Sequence, residues 1–170
     1  SRYMRFVIVF SSDMPYFYGF DEETEYIRKR EDIIGKNFIL PCVFTTRSTE
    51  NDIVVNGDAK CEPVIEITCI KEATTPEEES GIIVLNETLG ESIKLCTYLL
   101  QDEIVEVDVE NRKITSNMRG NMLKCISEDT FLHRFKLVQG ANHIKVMSNN
   151  ADEQINALCR YRCRYIEGVY

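Results

Sequence analysis

The stretch Cys159-Arg160-Tyr161-Arg162-Cys163-Arg164-Tyr165 decides the fold of this chain. Cysteine or tyrosine stands at every second position, and arginine stands at each position between them. Successive side chains of an extended strand point to opposite faces of a sheet. The cysteine and tyrosine side chains are therefore predicted to pack inward and the arginines to lie outside. The stretch predicts a β-strand over residues 158–166 with one buried face.

The outward-facing residues Arg160, Arg162 and Arg164 allow two interpretations. They can pair with carboxylates on neighbouring strands, which would make them part of the polar exterior of the domain. Alternatively, the row of guanidinium groups forms a stripe that binds a partner. The first interpretation is favoured, because strands bearing Glu and Asp are available as neighbours.

Similar β-favouring runs recur along the rest of the chain, whereas helical periodicity is rare. About ten strands separated by short turns are predicted from this pattern. They cover residues 5–10, 38–46, 52–55, 64–70, 82–85, 92–99, 104–109, 135–138, 143–147 and 158–166. Many short strands of this kind are typical of a sandwich or barrel, and we predict one all-β, antiparallel β-sandwich domain over residues 1–170.

Three segments between the strands carry predictions of their own. Asn56-Gly57-Asp58 predicts a tight hairpin turn between residues 52–55 and 64–70, because Asn-Gly accommodates the positive φ values that such turns require. Residues 21–35 are strongly charged and predict a short irregular or helical insertion. Residues 74–81 are polar and acidic, and predict a solvated loop.

Composition excludes several classes of function. The chain has 170 residues, 28 acidic against 20 basic, and a formal net charge of −8, which disfavours nucleic-acid binding. No apolar run approaches the roughly 20 residues that a membrane span needs. The seven cysteines are odd in number and widely spaced, so they are predicted to be free, buried thiols made in a reducing compartment. The first residue is Ser rather than Met, which predicts that the chain is part of a longer protein.

No catalytic or metal-binding motif is found in the sequence. His133 and His143 have no second histidine at metal-ligand spacing, and Cys159-x3-Cys163 has no matching second pair. Acidic pairs such as Glu22-Glu23 and Asp102-Glu103 are predicted to be solvated charges. We therefore predict a protein that is not an enzyme and that uses no metal or cofactor.

An aromatic cluster follows Pro15 and consists of Tyr16, Phe17, Tyr18 and Phe20. Because aromatic side chains bury large areas, we predict that these rings close one end of the core. The alternative is an exposed aromatic set that stacks on a sugar or contacts a protein partner.

In order along the chain, four features resemble the C-terminal domain of phage distal tail proteins, which are hub proteins of siphophage baseplates. They are Asp13-Met14-Pro15-Tyr16-Phe17-Tyr18, the turn Asn56-Gly57-Asp58 followed by Pro63-Val64-Ile65-Glu66-Ile67, the paired strands of residues 103–114, and Phe135-Lys136-Leu137-Val138-Gln139-Gly140-Ala141-Asn142-His143-Ile144 before an Arg- and Tyr-rich final strand. The charged residues 21–32, the loop at 74–81 and the cysteine content depart from the family pattern.

The resemblance implies a galectin-like jelly-roll sandwich in the virion tail, made in the bacterial host cytoplasm. It implies a non-catalytic protein attachment module of a phage or prophage baseplate, with other tail proteins, including a receptor-binding protein, as partners. The alternative is a carbohydrate-binding module for host cell-surface polysaccharide. The candidate binding residues are Tyr16, Phe17, Tyr18, Arg160, Arg162 and Arg164.

Overall fold

The computed structural model describes residues 16–19, 21–27, 48–74, 81–150 and 152–166. These residues form twelve β-strands and two short 3-10 helices. The strands are β1 (Phe17–Tyr18), β2 (Glu23–Ile27), β3 (Ser48–Val55), β4 (Val64–Lys71), β5 (Ile82–Asn86), β6 (Glu91–Leu95), β7 (Ile104–Asp108), β8 (Lys113–Ser116), β9 (Gly120–Asn121), β10 (Gly140–Ser148), β11 (Gln154–Tyr161) and β12 (Arg164–Tyr165). The 3-10 helices are Leu123–Cys125 and Leu132–Arg134.

The strands form two large sheets and one small ribbon. One sheet has the order β3-β10-β5-β6, the other has the order β2-β11-β4-β7-β8-β9, and the ribbon pairs β1 with β12. Every paired strand is antiparallel to its neighbour. The prediction of an all-β antiparallel sandwich is therefore confirmed.

The core lies between the two large sheets and follows the alternation of the sequence. Along β4, for example, Ile65, Ile67 and Cys69 are fully buried while the residues between them are partly exposed. Across the core, β10 contributes Ile144 and Val146 in the same way. Burying one such aliphatic side chain stabilises the fold by roughly 1.5–3 kcal/mol, so this alternation fixes which face of each strand turns inward.

The hairpin predicted at Asn56-Gly57 is wrong. Strand β3 pairs with β10 in one sheet, whereas β4 pairs with β11 and β7 in the other, so Gly57 lies on a connection between the sheets. A Cβ atom on Gly57 would lie 2.5 Å from the carbonyl oxygen and 2.8 Å from the nitrogen of Arg164. Glycine is needed here because two backbones approach closely.

We expect Gly57→Ala to reduce the free energy of unfolding by about 2 kcal/mol or more, because the methyl group would collide with a backbone that side-chain rotation cannot move. Urea unfolding followed by far-UV circular dichroism measures this loss. Gly19→Ala is the matched control, since its Cβ would lie 3.7 Å from the Cys163 carbonyl oxygen, an ordinary contact. Equal stabilities of the two variants would contradict the close-approach explanation.

The insertion predicted at residues 21–35 is wrong for its first part. Residues Glu23–Ile27 form strand β2, which pairs along its length with β11. Only Ile27 is buried, and the other side chains of β2 are exposed. A charged strand of this kind resists unwanted edge-to-edge pairing, which explains why the strand lacks an apolar pattern. Residues 28–35 lie outside the described residues, as do the strands predicted at 5–10 and 38–46 and most of the loop at 74–81.

The motif around residues 135–144 connects the 3-10 turn to β10. Phe135 and Leu137 are fully buried, although they form no regular strand. Gly140 has a φ of 87°, which favours glycine. The buried Asn142 amide donates to the Val138 carbonyl at 2.7 Å and accepts from the Val138 N–H at 2.9 Å. The glycine and the asparagine thus shape the entry into β10.

The expectation that Asp102 and Glu103 are both solvated is also wrong. Glu103 is fully buried, and its carboxylate accepts hydrogen bonds from Arg119 Nε and Nη2, each at 2.7 Å, and from the Leu100 N–H at 2.9 Å. Ser116 donates to the same carboxylate. Burial alone would raise the pKa of Glu103, but these hydrogen bonds and the Arg119 charge outweigh it and hold the pKa below its ordinary value.

The described cysteines are free, as predicted. Cys61, Cys69, Cys159 and Cys163 are buried, Cys125 is partly buried and Cys96 is exposed. Burial raises the pKa of Cys61 and of Cys69 to about 12. Most of these side chains therefore act as small apolar groups of the core.

Candidate binding groove

The ribbon of β1 and β12 brings the two sets of predicted site residues together. The chain leaves β11 after Tyr161, and two residues later Arg164 and Tyr165 pair with Tyr18 and Phe17. The aromatic cluster and the arginine stretch, which lie at opposite ends of the described chain, therefore share one surface.

A groove with a volume of about 380 Å³ lies beside this ribbon. Its floor follows one row of the six-stranded sheet, in which Arg160, Val64 and Asp108 are aligned across β11, β4 and β7. Its lining residues are Tyr18, Glu22, Glu62, Val64, Asp108, Glu110, Asn111, Arg160, Tyr161, Arg162 and Arg164. This volume lies within the range of roughly 300–1,000 Å³ that is usual for ligand sites.

Arg164 is the structural centre of the groove wall. Its guanidinium pairs with Glu62, and with Glu110 at 2.8 Å. The guanidinium carbon lies 5.2 Å from the ring centroid of Tyr18 and 5.8 Å from that of Tyr16, which are cation–π distances. The predicted outward position of Arg164 is wrong, since the residue is buried. The strand is interrupted at residues 162–163, so the alternation of faces does not continue through β12.

Arg160 lies on the outer face, as predicted, and is held by carboxylates of neighbouring strands. Its Nη2 lies 2.7 Å from Glu106, and Glu66 and Glu22 lie within 4.0 Å of its guanidinium nitrogens. The Nε atom of Arg160 is buried without a hydrogen-bond acceptor among the described residues. Arg160 therefore belongs mainly to the polar exterior, with one donor unsatisfied.

Arg162 differs from both neighbouring arginines. Its side chain is exposed at the rim of the groove, and it makes no ion pair within the part of the chain that the structure describes. Of the predicted arginine stripe, Arg162 is thus the member without an ion pair among the described residues.

The prediction that the aromatic cluster closes the core is wrong for three of its members. Tyr16, Phe17 and Tyr18 have exposed fractions of 38%, 59% and 37%. Strand β1 pairs with β12 rather than with either large sheet, so no sheet formed by the described residues lies over its rings. Phe20 lies outside the described residues.

A turn between β7 and β8 fixes the Asp108 carboxylate, which is a hydrogen-bond acceptor in the groove. The Asp108 carboxylate accepts hydrogen bonds from the Asn111 N–H at 2.9 Å and from Asn111 Nδ2 at 2.8 Å. Five groove residues were not predicted from the sequence, namely Glu22, Glu62, Asp108, Glu110 and Asn111. The alternation Val105-Glu106-Val107-Asp108 placed Asp108 on the outer face, but only the strand order reveals that it lies near Arg160.

The described residues include no group of three or more His, Cys, Asp or Glu side chains that could hold a metal ion. His143 lies on the outer face of the other sheet, 2.6 Å from Asp52, and His133 is exposed beside Phe131. Within the same residues, no helix is long and apolar enough to cross a membrane.

Comparisons with known proteins agree with this architecture. The family model described as siphovirus-type tail component, C-terminal domain, matches residues 56–165. Among solved structures, the chain is similar to that of the SPP1 Dit protein, described as a paradigm of the hub adsorption apparatus in phages that infect Gram-positive bacteria. The TM-score is 0.56 at 10% sequence identity, and the match covers 89% of this chain and 49% of that one. At this identity the likeness concerns the fold, and no curated protein matches significantly.

Proposed function

The chain belongs to the siphovirus-type tail component family, C-terminal domain, and from this premise we propose that it is a non-catalytic attachment module of a phage or prophage tail. Its partners would be other tail or baseplate proteins, including a receptor-binding protein. It would be made in the bacterial host cytoplasm and reside in the virion tail. Since the chain spans about half the length of the SPP1 Dit protein, we further propose that it is one domain of a longer tail protein.

The exposed aromatic ribbon carries this proposal. Phe17 has the largest exposed fraction of the cluster, 59%, and pairs with Tyr165, three residues after Arg162, which is exposed without an ion pair among the described residues. Aromatic and arginine side chains are enriched among the residues that dominate protein–protein binding energies. The ribbon that presents them is fixed by Arg164, so little conformational freedom would be lost on binding.

The side chains of Arg160, Arg164 and Cys61 are poorly suited to catalysis. Arg160 and Arg164 are engaged by carboxylates, and Cys61, which precedes the groove residue Glu62 but does not line the groove, is buried with its pKa raised to about 12. An ion-paired arginine and a protonated thiol are poor nucleophiles or bases. These features support a role in binding.

We expect Phe17→Ala combined with Arg162→Ala to weaken binding to a cognate tail protein at least tenfold, because an apolar anchor and an unpaired charge are both removed. The probes are the tail proteins encoded beside this chain, each purified and measured by calorimetry. Tyr98→Ala is the matched control, since Tyr98 is 38% exposed but lies on the loop after β6, and its affinity should be unchanged. Equal binding by the wild type and the double variant would contradict the assignment of the ribbon.

A carbohydrate-binding module is the second candidate, and the groove beside Tyr18 favours it. Asp108, Asn111 and Arg160 present fixed polar groups next to that ring, which is a usual arrangement for holding a sugar. A glycan array of host wall polysaccharides separates the two proposals. Saccharide binding that Tyr16→Ala and Tyr18→Ala abolish would favour this second candidate over protein attachment.

A further inference from the structure

The backbones of two free cysteines, Cys96 and Cys125, are joined by a hydrogen bond where a loop covers the outer edge of β6. Leu95, the last residue of β6, forms an antiparallel bridge with Ile126. The Ser127 N–H donates to the Lys94 carbonyl at 2.9 Å, and the Cys96 N–H donates to the Cys125 carbonyl at 2.7 Å. In this register, Cys96 and Cys125 are the next directly opposed pair.

This backbone geometry suits a disulfide. Opposed residues of a hydrogen-bonded antiparallel pair have Cα atoms about 5.5 Å apart. Cys96 and Cys125 make one of the two hydrogen bonds of such a pair, since the Cys125 N–H donates instead to the Met122 carbonyl at 2.8 Å. Disulfide-linked cysteines have Cα separations of roughly 4.4–6.8 Å. Cys125 is the last residue of the 3-10 helix Leu123–Cys125 and packs partly buried against the core, so its side chain has to change rotamer to meet Cys96.

Access distinguishes this pair from the other described cysteines. Cys96 is exposed and Cys125 is partly buried, whereas Cys61, Cys69, Cys159 and Cys163 are buried. Burial raises the pKa of Cys61 and Cys69 to about 12 and raises that of Cys159 further, so these groups remain protonated. Thiol–disulfide exchange requires an accessible thiolate, and a reagent would therefore reach Cys96 first.

We propose that Cys96 and Cys125 form a reversible disulfide when the protein meets a small-molecule disulfide. The Cys96 thiolate attacks one sulfur of the reagent, which forms a mixed disulfide and releases one thiolate. The Cys125 thiolate then attacks the Cys96 sulfur, which forms the Cys96–Cys125 bond and releases the second thiolate. The protein loses two electrons and two protons, and the reagent is reduced to two thiols.

The bond would fasten the covering loop to β6. The loop is already held there by the Lys94 N–H, which donates to Thr130 Oγ1 at 3.0 Å, and by the two backbone hydrogen bonds of the bridge. A covalent link would close a ring through residues 97–124 and restrict the unfolded chain. We expect oxidation to raise the melting temperature by about 5 °C or more, and reductant to reverse the rise.

The test uses the full chain carrying Cys42→Ser and oxidised glutathione as the probe. Peptide mapping by mass spectrometry without reductant should find Cys96 joined to Cys125, with two hydrogens lost from the intact mass. Cys125→Ser should instead keep a stable glutathione adduct on Cys96, and Cys96→Ser should form neither product. A lasting adduct on Cys96 with Cys125 intact and free, or dimers linked through Cys96, would overturn the proposal.

Discussion

Glu103→Gln is expected to lower the free energy of unfolding by about 3 kcal/mol at neutral pH, because it breaks a buried ion pair and leaves its partner without a counter-charge. Arg119 binds the Glu103 carboxylate through Nε and Nη2, each at 2.7 Å, and its side chain is 31% exposed. That exposure lets water take over part of the lost interaction, so the expected loss lies at the low end of values for buried pairs. Urea unfolding of both proteins at neutral pH measures it.

The effect of Glu103→Gln should depend on pH. Hydrogen bonds from Arg119, Leu100 and Ser116 hold the pKa of Glu103 below its ordinary value despite burial. A carboxyl group whose pKa is lowered by folding stabilises the native state above its unfolded pKa, which is about 4.3 for glutamate, and loses this contribution as the pH falls through the folded value. The stability difference between wild type and variant should therefore be full above pH ~5 and shrink below pH ~4.

Glu106→Gln is the control for this prediction. Glu106 also pairs with an arginine at 2.7 Å, but its side chain is 40% exposed. Exposed pairs contribute about 0–1 kcal/mol, so the loss at neutral pH should be much smaller. A loss at Glu106 equal to that at Glu103, or a loss at Glu103 that does not change with pH, would contradict the explanation.

Arg164→Met is expected to cost about 2–3 kcal/mol and to release the ribbon of β1 and β12 from the sandwich. The variant keeps the apolar stem but loses the ion pairs with Glu62 and Glu110 and the contact with the Tyr16 and Tyr18 rings. Glu62 keeps a partner, since Lys136 lies 3.0 Å away, and Glu110 is half-exposed. Neither carboxylate is therefore left buried without a partner, which limits the loss of stability.

Amide hydrogen exchange can show whether the ribbon of β1 and β12 is released in Arg164→Met. The Gly19 N–H donates to the Cys163 carbonyl and the Ala59 N–H to the Arg164 carbonyl, so both amides report on the ribbon. We expect their exchange to speed up at least tenfold in Arg164→Met, while amides of β10 stay unchanged. Arg162→Met is the matched control, because it removes an exposed arginine two positions away and should alter neither stability nor exchange. Identical exchange in the two variants would show that Arg164 does not fix the ribbon.

The sequence predicts this fold well wherever side chains alternate. The runs at β4, β7 and β11 reveal their buried faces directly, because burying aliphatic side chains dominates the energy of each strand. Prediction from the sequence fails where the role of a residue depends on tertiary contacts. Gly57 has the sequence signature of a hairpin, yet the approach of the Arg164 backbone requires it. Glu103 has the sequence signature of a solvated charge, yet its side chain is buried. It pairs with Arg119, which lies on the turn after β8.

In the candidate site, too, some features are predicted by the sequence and others depend on tertiary contacts. Tyr16 to Tyr18 and Arg160 to Arg164 are notable by composition, so both sets were named from the sequence. Their meeting depends on β1 pairing with β12, and nothing local predicts that pairing. The carboxylates that neutralise Arg160 and Arg164 come from β7 and from loops beside β4 and β7. Identifying them requires the strand order, which adjacent residues do not encode.

The pairing of β1 with β12 also bears on the time at which the groove forms. Hairpins such as β5–β6 and β7–β8 join neighbouring residues, whereas Phe17 pairs with Tyr165 across nearly the whole described chain. Contacts between residues distant in sequence carry a large loop-closure cost and tend to form late in folding. During synthesis the groove cannot be completed until Arg164 and Tyr165 have left the ribosome. A nascent chain can thus form hairpins such as β5–β6 and β7–β8 before the groove is complete.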